Sequence, residues 1–182
     1  MGSALVVIDM LTAYDFDDAD ALAASAEGVV PNIATLLDRA ADEDVPVIYV
    51  NDNYGDWNSS ADELVERALE GERPDLIEPI KPPGGVSFVI KARHSIFYGT
   101  PLEYLLRQRE IDRIVMTGQV TEQCVLYSAL DAYVRHVDVA VATDAVAHIH
   151  DDLADAALKM METNMSADVT PSADCHLGDR GS

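Results

Sequence analysis

The stretch that most constrains this chain is Leu5-Val6-Val7-Ile8-Asp9, four apolar residues in succession closed by a carboxylate. A strand with one wet face alternates apolar and polar side chains. An unbroken apolar run therefore reads as a strand buried on both faces, which is the pattern of a parallel sheet covered by helices on each side. Similar short runs return at Val45 to Val50, at Ser87 to Ile90 leading into Lys91, at Asp112 to Met116 and at Val137 to Thr143, with Ala167 to Thr170 as a short sixth.

Helical spacing fills the intervals. Pro31 to Asp42 places Ile33, Leu36, Leu37 and Ala40 on one face, and Ser60 to Leu69 and Pro101 to Gln108 read as shorter helices. Val125, Leu126, Ala129, Leu130 and Val134 recur at helical spacing, and Asp151 to Met165 turns Leu153, Ala157, Leu158 and Met161 inward. Thr12 to Asp20 reads as an acidic loop over the sheet, Pro74 to Pro83 as irregular chain, and the end as a polar tail. No repeat, low-complexity segment or linker divides the 182 residues, so residues 1–182 are expected to form a single domain. Strand–helix alternation predicts an α/β fold: three layers, α/β/α, around a central, mostly parallel sheet of about six strands, Rossmann-like.

The formal net charge of −21 argues against partners that present phosphate backbones or anionic lipid surfaces, so neither nucleic acid nor membrane is an expected partner. No apolar run is long enough to span a bilayer, and Met1-Gly2-Ser3 lacks the basic region and cleavage site of a signal peptide. The two cysteines, Cys124 and Cys175, form no disulfide framework. A soluble, cytoplasmic protein with free thiols is the expectation.

Three chemically complementary residues fall at equivalent places. Asp9 ends the first strand, Lys91 ends the third, and Cys124 follows the fourth, in Met116-Thr117-Gly118-Gln119-Val120-Thr121-Glu122-Gln123-Cys124-Val125. Carboxyl ends of parallel strands share one sheet edge, where ligands bind. Gly118 permits a sharp turn, and Thr121 as N-cap would put Cys124 in the first helical turn, where the helix dipole favours thiolate. A carboxylate can take the thiol proton and return it to a leaving amine, an ammonium can orient the pair, and backbone N–H groups over Val120 to Cys124 can hold an oxyanion. Each residue also has a structural reading, as a loop cap, an exposed lysine or a buried apolar thiol.

The segments Leu5-Val6-Val7-Ile8-Asp9-Met10, Lys91-Ala92-Arg93-His94-Ser95-Ile96-Phe97-Tyr98-Gly99-Thr100-Pro101-Leu102 and Thr117 to Val125 resemble the isochorismatase-like cysteine hydrolase superfamily, which includes nicotinamidases, N-carbamoyl amide hydrolases and isochorismatases. Ala129-Leu130-Asp131-Ala132 and Thr143-Asp144-Ala145-Val146-Ala147 match it too. The resemblance implies a catalytic triad at Asp9, Lys91 and Cys124, a non-proline cis peptide between Val120 and Thr121, and a homo-oligomer, dimer or tetramer. Nicotinamidases of the superfamily carry a metal site in the loop after the second strand, built from an aspartate and histidines. Here that loop, Asn51-Asp52-Asn53-Tyr54-Gly55-Asp56-Trp57, has Asp52 and no histidine, so neither metal nor cofactor is expected.

The expected activity is hydrolysis of the C–N bond of a small amide through a thioester on Cys124. The alternatives are vinyl-ether hydrolysis of the isochorismatase type with Asp9 as general acid, and ligand binding without turnover. Tyr14, Trp57, Phe97 and Tyr127 are candidates for an aromatic substrate pocket. His94 is a weaker candidate partner of Cys124, and His148, His150, Asp151 and Asp152 read as a solvated loop and helix cap.

Overall fold

A computed structural model describes residues 2–178. Six strands form one sheet in the order β3-β2-β1-β4-β5-β6. They are β1 (Gly2–Ile8), β2 (Val47–Asp52), β3 (Ser87–Lys91), β4 (Ile111–Gln119), β5 (Asp138–Ala147) and β6 (Asp168–Thr170). Every pairing is parallel. The order reverses between β1 and β4, and a crevice opens beyond the strands' carboxyl ends at such a reversal.

The apolar run of β1 divides by its period of two. Leu5 and Val7 pack with α1 (Ala19–Asp42) on one side, while Ala4, Val6 and Ile8 face the other layer. That second layer holds α4 (Leu102–Gln108), α5 (Leu126–Val134) and α6 (Asp151–Met165). The short helices α2 (Ala61–Leu69) and α3 (Pro74–Ile77) lie between β2 and β3 in sequence, and a single 3₁₀ turn, Glu78–Ile80, follows α3. Ser60 caps α2 through a reciprocal pair with Glu63. Among the described residues no helix is long and apolar enough to cross a membrane.

Four elements differ from expectation. α1 begins at Ala19, not Pro31, and runs for 24 residues with Pro31 inside it. Leu22, Ala26, Val29, Ile33, Leu36 and Ala40 form one continuous buried stripe, and its burial outweighs the interruption at the proline. Pro74 to Pro83 is partly helical, because Leu76, Ile77 and Ile80 are drawn into the core. On α6 the inner stripe is Ala154, Ala157, Met161 and Met165, leaving Leu153 exposed. The segment expected as a polar tail packs back on the sheet as far as Leu177, which is fully buried. Arg39 donates to the carbonyls of Ser172 and Cys175, Arg113 to that of His176, and Ser3 Oγ to that of Leu177.

Candidate active site

Gly118 explains why β1 and β4 can bring their ends together. It sits opposite Ile8 with φ of +111°, and a Cβ there would lie 2.1 Å from the Ile8 carbonyl oxygen. Asp9 follows directly, turning out of β1 with φ of +53°, a conformation aspartate tolerates better than most residues. Gln119, the last residue of β4, fastens the junction. Its Nε2 donates to the Asp9 carbonyl at 2.8 Å and its Oε1 accepts from the Tyr14 hydroxyl at 3.1 Å.

The chain then makes a π-helical turn, Thr121–Val125, before α5. Thr121 does not cap it as expected; its Oγ1 donates to the Ala147 carbonyl at 2.9 Å. Glu122 accepts from the Ile149 and His150 N–H groups at 3.0 and 2.8 Å, joining the turn to the start of α6. Cys124 thus lies in a wide turn before the regular helix, not in the first turn of the helix itself. The cis peptide also falls one residue earlier than expected, between Gln119 and Val120. β4 ends at Gln119 and Thr121 already belongs to the turn, so Val120 alone joins the two.

Lys91 ends β3 and reaches past β2 with its side chain fully buried. Its Nζ lies 2.8 Å from Asp9 Oδ2, 3.2 Å from Asp52 Oδ2 and 3.8 Å from Cys124 Sγ. The other Asp9 oxygen, Oδ1, accepts from the Asp52 backbone N–H at 2.8 Å. The Asp9 carboxylate acts on the thiol electrostatically, and His94 Nδ1 stands 3.7 Å from the sulfur. Asp9, Lys91 and Cys124, far apart in sequence, therefore meet at one point on the sheet edge.

The charges in this cluster differ from expectation at the thiol. Burial pushes Cys124 up, the Asp9 carboxylate pushes it further, and Lys91 with the Val120 backbone only partly opposes them. Desolvation and the neighbouring carboxylate thus work against the thiolate that a helix terminus favours. Burial also raises Asp9, against the pull of Lys91 and the thiol, and Asp52 adds to the rise. At Lys91 burial disfavours the ammonium, but Asp9, Cys124 and Asp52 outweigh it and hold the proton on. Cys124 and Asp9 are thus both shifted toward holding their protons, and the Lys91 ammonium that lies between them is shifted toward keeping its own.

These groups open into a cavity of about 420 Å³, roomy enough for a small molecule. Asp9, Asp52, His94 and Cys124 line it together with Phe16, Tyr54, Arg67 and Ile149. The Arg67 guanidinium lies 5.8 Å from the centre of the Tyr54 ring. Tyr54 is 40% exposed overall, but burial of its hydroxyl and the Asp9 charge raise the phenol.

None of the four expected pocket aromatics lines this cavity. Tyr14 is buried behind it, its hydroxyl held by Gln119 and its pKa pushed up to about 12 by burial. Trp57 is 81% exposed and borders a separate depression with Tyr98. Phe97 is core, with the Arg135 guanidinium 5.1 Å above its ring. Tyr127 stands edge-on to His94 at 5.3 Å, behind the histidine as seen from the cavity. An aromatic residue's type does not say which way its loop folds. The sequence signal that was available lay in the neighbours, Phe16 in the acidic loop and Tyr54 after Asp52.

In comparisons with known proteins, the isochorismatase domain model matches residues 3–174. An uncharacterized isochorismatase family protein of Bacillus subtilis is 35% identical over 167 residues, covering 92% of each chain. Ureidoacrylate amidohydrolase of Rhizobium rhizogenes is 29% identical over 177 residues, covering 82% of this chain and 72% of that one. The crystal structure of N-carbamoylsarcosine amidase from Thermoplasma acidophilum superposes with a TM-score of 0.76 at 28% identity, over 97% of this chain and 99% of the other.

Proposed function

Because the chain belongs to the isochorismatase family, we propose that it is a cysteine-dependent hydrolase of a small amide, with Asp9, Lys91 and Cys124 as its catalytic residues. The observation that carries the reading is the meeting of a thiol and a carboxylate within 4 Å of the buried Lys91 ammonium, at a cavity that Asp9 and Cys124 line. Relatives named as amidohydrolases and an amidase support the choice of a C–N bond.

In the first half-reaction Cys124 Sγ attacks the amide carbonyl as its proton passes to Asp9. A carbon–sulfur bond forms, and the backbone N–H groups at Val120 and Cys124 hold the oxyanion. Asp9 returns the proton to the leaving nitrogen, the C–N bond breaks, and ammonia or an amine departs. Water then attacks the thioester while Asp9 takes its proton. The acid is released and the proton returns to sulfur. The raised proton affinity of Asp9 suits this relay, since a carboxyl of ordinary acidity is a poor base for a buried thiol. Lys91 keeps its charge throughout and steadies the carboxylate.

The test is ammonia release from a panel of small primary amides and N-carbamoyl compounds by wild type, Cys124→Ala and Asp9→Asn. Turnover lost in both variants, with folding intact, is the expected result. An active Cys124→Ala together with an inactive Asp9→Asn refutes the cysteine mechanism and leaves Asp9 as the group that drives the hydrolysis.

A further inference from the structure

The metal site of the nicotinamidase branch does not fit the residues found here. Its position in the loop after β2 contains no histidine, and the carboxylate of Asp52 is already engaged. Asp52 Oδ2 meets Lys91 Nζ at 3.2 Å, and Oδ1 accepts from the Tyr54 backbone N–H at 2.8 Å. Among the described residues no group of three or more His, Cys, Asp or Glu side chains is placed to hold a metal ion.

A different role follows from what Asp52 touches. Residues 52 and 91 are register partners on neighbouring strands, so the strand pairing itself sets their side chains together. Lys91 Nζ and the Asp52 backbone N–H fix one Asp9 oxygen each, at 2.8 Å in both cases. Asp52 therefore acts on Asp9 twice, directly through its amide and indirectly through the ammonium.

We propose that Asp52 is a positioning residue: its carboxylate shares the Lys91 ammonium with Asp9, and its backbone clamps the Asp9 oxygen that Lys91 leaves free. With the ammonium divided between two carboxylates, Asp9 is held in place without losing the basicity that a private ion pair would remove. The inference rests on Asp9 being the base of the proposed reaction. The ionisable groups facing the pair are Asp52 from β2, Cys124 from the turn after β4 and Tyr54 from the loop after β2, with His94 beyond the sulfur.

The sign of the effect is fixed by this arrangement. The Asp52 charge raises Asp9, and removing it leaves Lys91 wholly to Asp9, so Asp9 becomes more acidic. In Asp52→Asn the acid limb of kcat/KM should move down by about one pH unit, with the plateau lowered roughly tenfold in kcat and KM changed less. Asparagine keeps an oxygen for the Tyr54 N–H, whereas Asp52→Ala removes it. An equal shift of the limb in both variants assigns the effect to the Lys91 contact and not to the loop. Without substrate, the pH dependence of Cys124 alkylation by iodoacetamide should shift the same way, because thiol and Asp9 share the local charge.

An unmoved limb and an unmoved alkylation curve in both folded variants overturn the inference. Zinc bound stoichiometrically by wild type and lost in Asp52→Asn also overturns it. The two readings fail separately: an active Cys124→Ala removes the base role of Asp9, while a dead Cys124→Ala with unmoved curves removes only the role of Asp52.

Discussion

Lys91→Met removes the cation that, among the described residues, pairs with Asp9. The lysine side chain is fully buried, Asp9 is 10% exposed, and Asp52 is 25% exposed and free to take up water once released. The cost therefore centres on Asp9, left as a buried carboxylate with no counter-charge. Protonation caps that cost. Starting from the ordinary value of 3.8, neutralising Asp9 at pH 7 costs at most about 4 kcal/mol, at roughly 1.4 kcal/mol per pH unit. Wild-type Asp9 already lies above its ordinary value, so part of this is present without the mutation. The expected loss at pH 7 is about 2–4 kcal/mol, a fall in Tm of roughly 5–12 °C for a chain of this size.

The pH dependence carries the reasoning. A carboxyl raised on folding holds a proton that the unfolded chain releases, so its stability contribution is lost as pH rises from the unfolded to the folded pKa. Removing Lys91 raises Asp9 further. The gap between variant and wild type should open once the pH passes the already raised wild-type value of Asp9, and level off once Asp9 ionises in the folded variant. Urea denaturation of both proteins between pH 4 and 8 measures it. Equal stability at pH 8, or a gap that grows toward acid, would falsify the assignment of Lys91 as counter-charge to Asp9.

Three further outcomes follow from the same geometry. Asp9→Asn should abolish turnover yet speed alkylation of Cys124 at pH 8 by about tenfold or more, since a neighbouring carboxylate is a main reason the thiol stays protonated. Peptide mass spectrometry reads this with Cys175 as internal control, and a slower reaction would contradict it. Gly118→Ala should cost at least about 2 kcal/mol by thermal melting and lower activity, because its Cβ would collide with the Ile8 carbonyl just before Asp9. Leu177→Ala should cost about 2–4 kcal/mol with activity retained, since this buried side chain lies in the core cluster on the α1 side of the sheet, away from the cavity.

What was legible in the chain depended on how local the physics is. β1 announces burial on both faces within five residues, and Asp9, Lys91 and Cys124 are readable as strand-end residues because topology alone brings such ends together. Pro31 looks like a helix start in the sequence, yet the apolar stripe from Leu22 to Ala40 continues through it. The last residues looked polar because Arg39, Arg113 and Ser3, which bind their backbone carbonyls, are more than sixty positions away from most of them in sequence. The cavity walls were least legible. Phe16, Tyr54 and Arg67 come from three separate segments, and only the packed loops decide that they, and not Tyr14 or Trp57, face the cavity. The thiol's charge state was also hidden, since a nearby helix start is visible in sequence while desolvation and contact with Asp9 are not.

The most direct test of the account is the mass of the enzyme during turnover. With an amide that the protein hydrolyses, acid quenching and peptide mass spectrometry should find the substrate's acyl group on the peptide bearing Cys124, released by hydroxylamine and absent from Cys124→Ala. Steady turnover with no adduct on that peptide, and with Cys124→Ala still active, would contradict it.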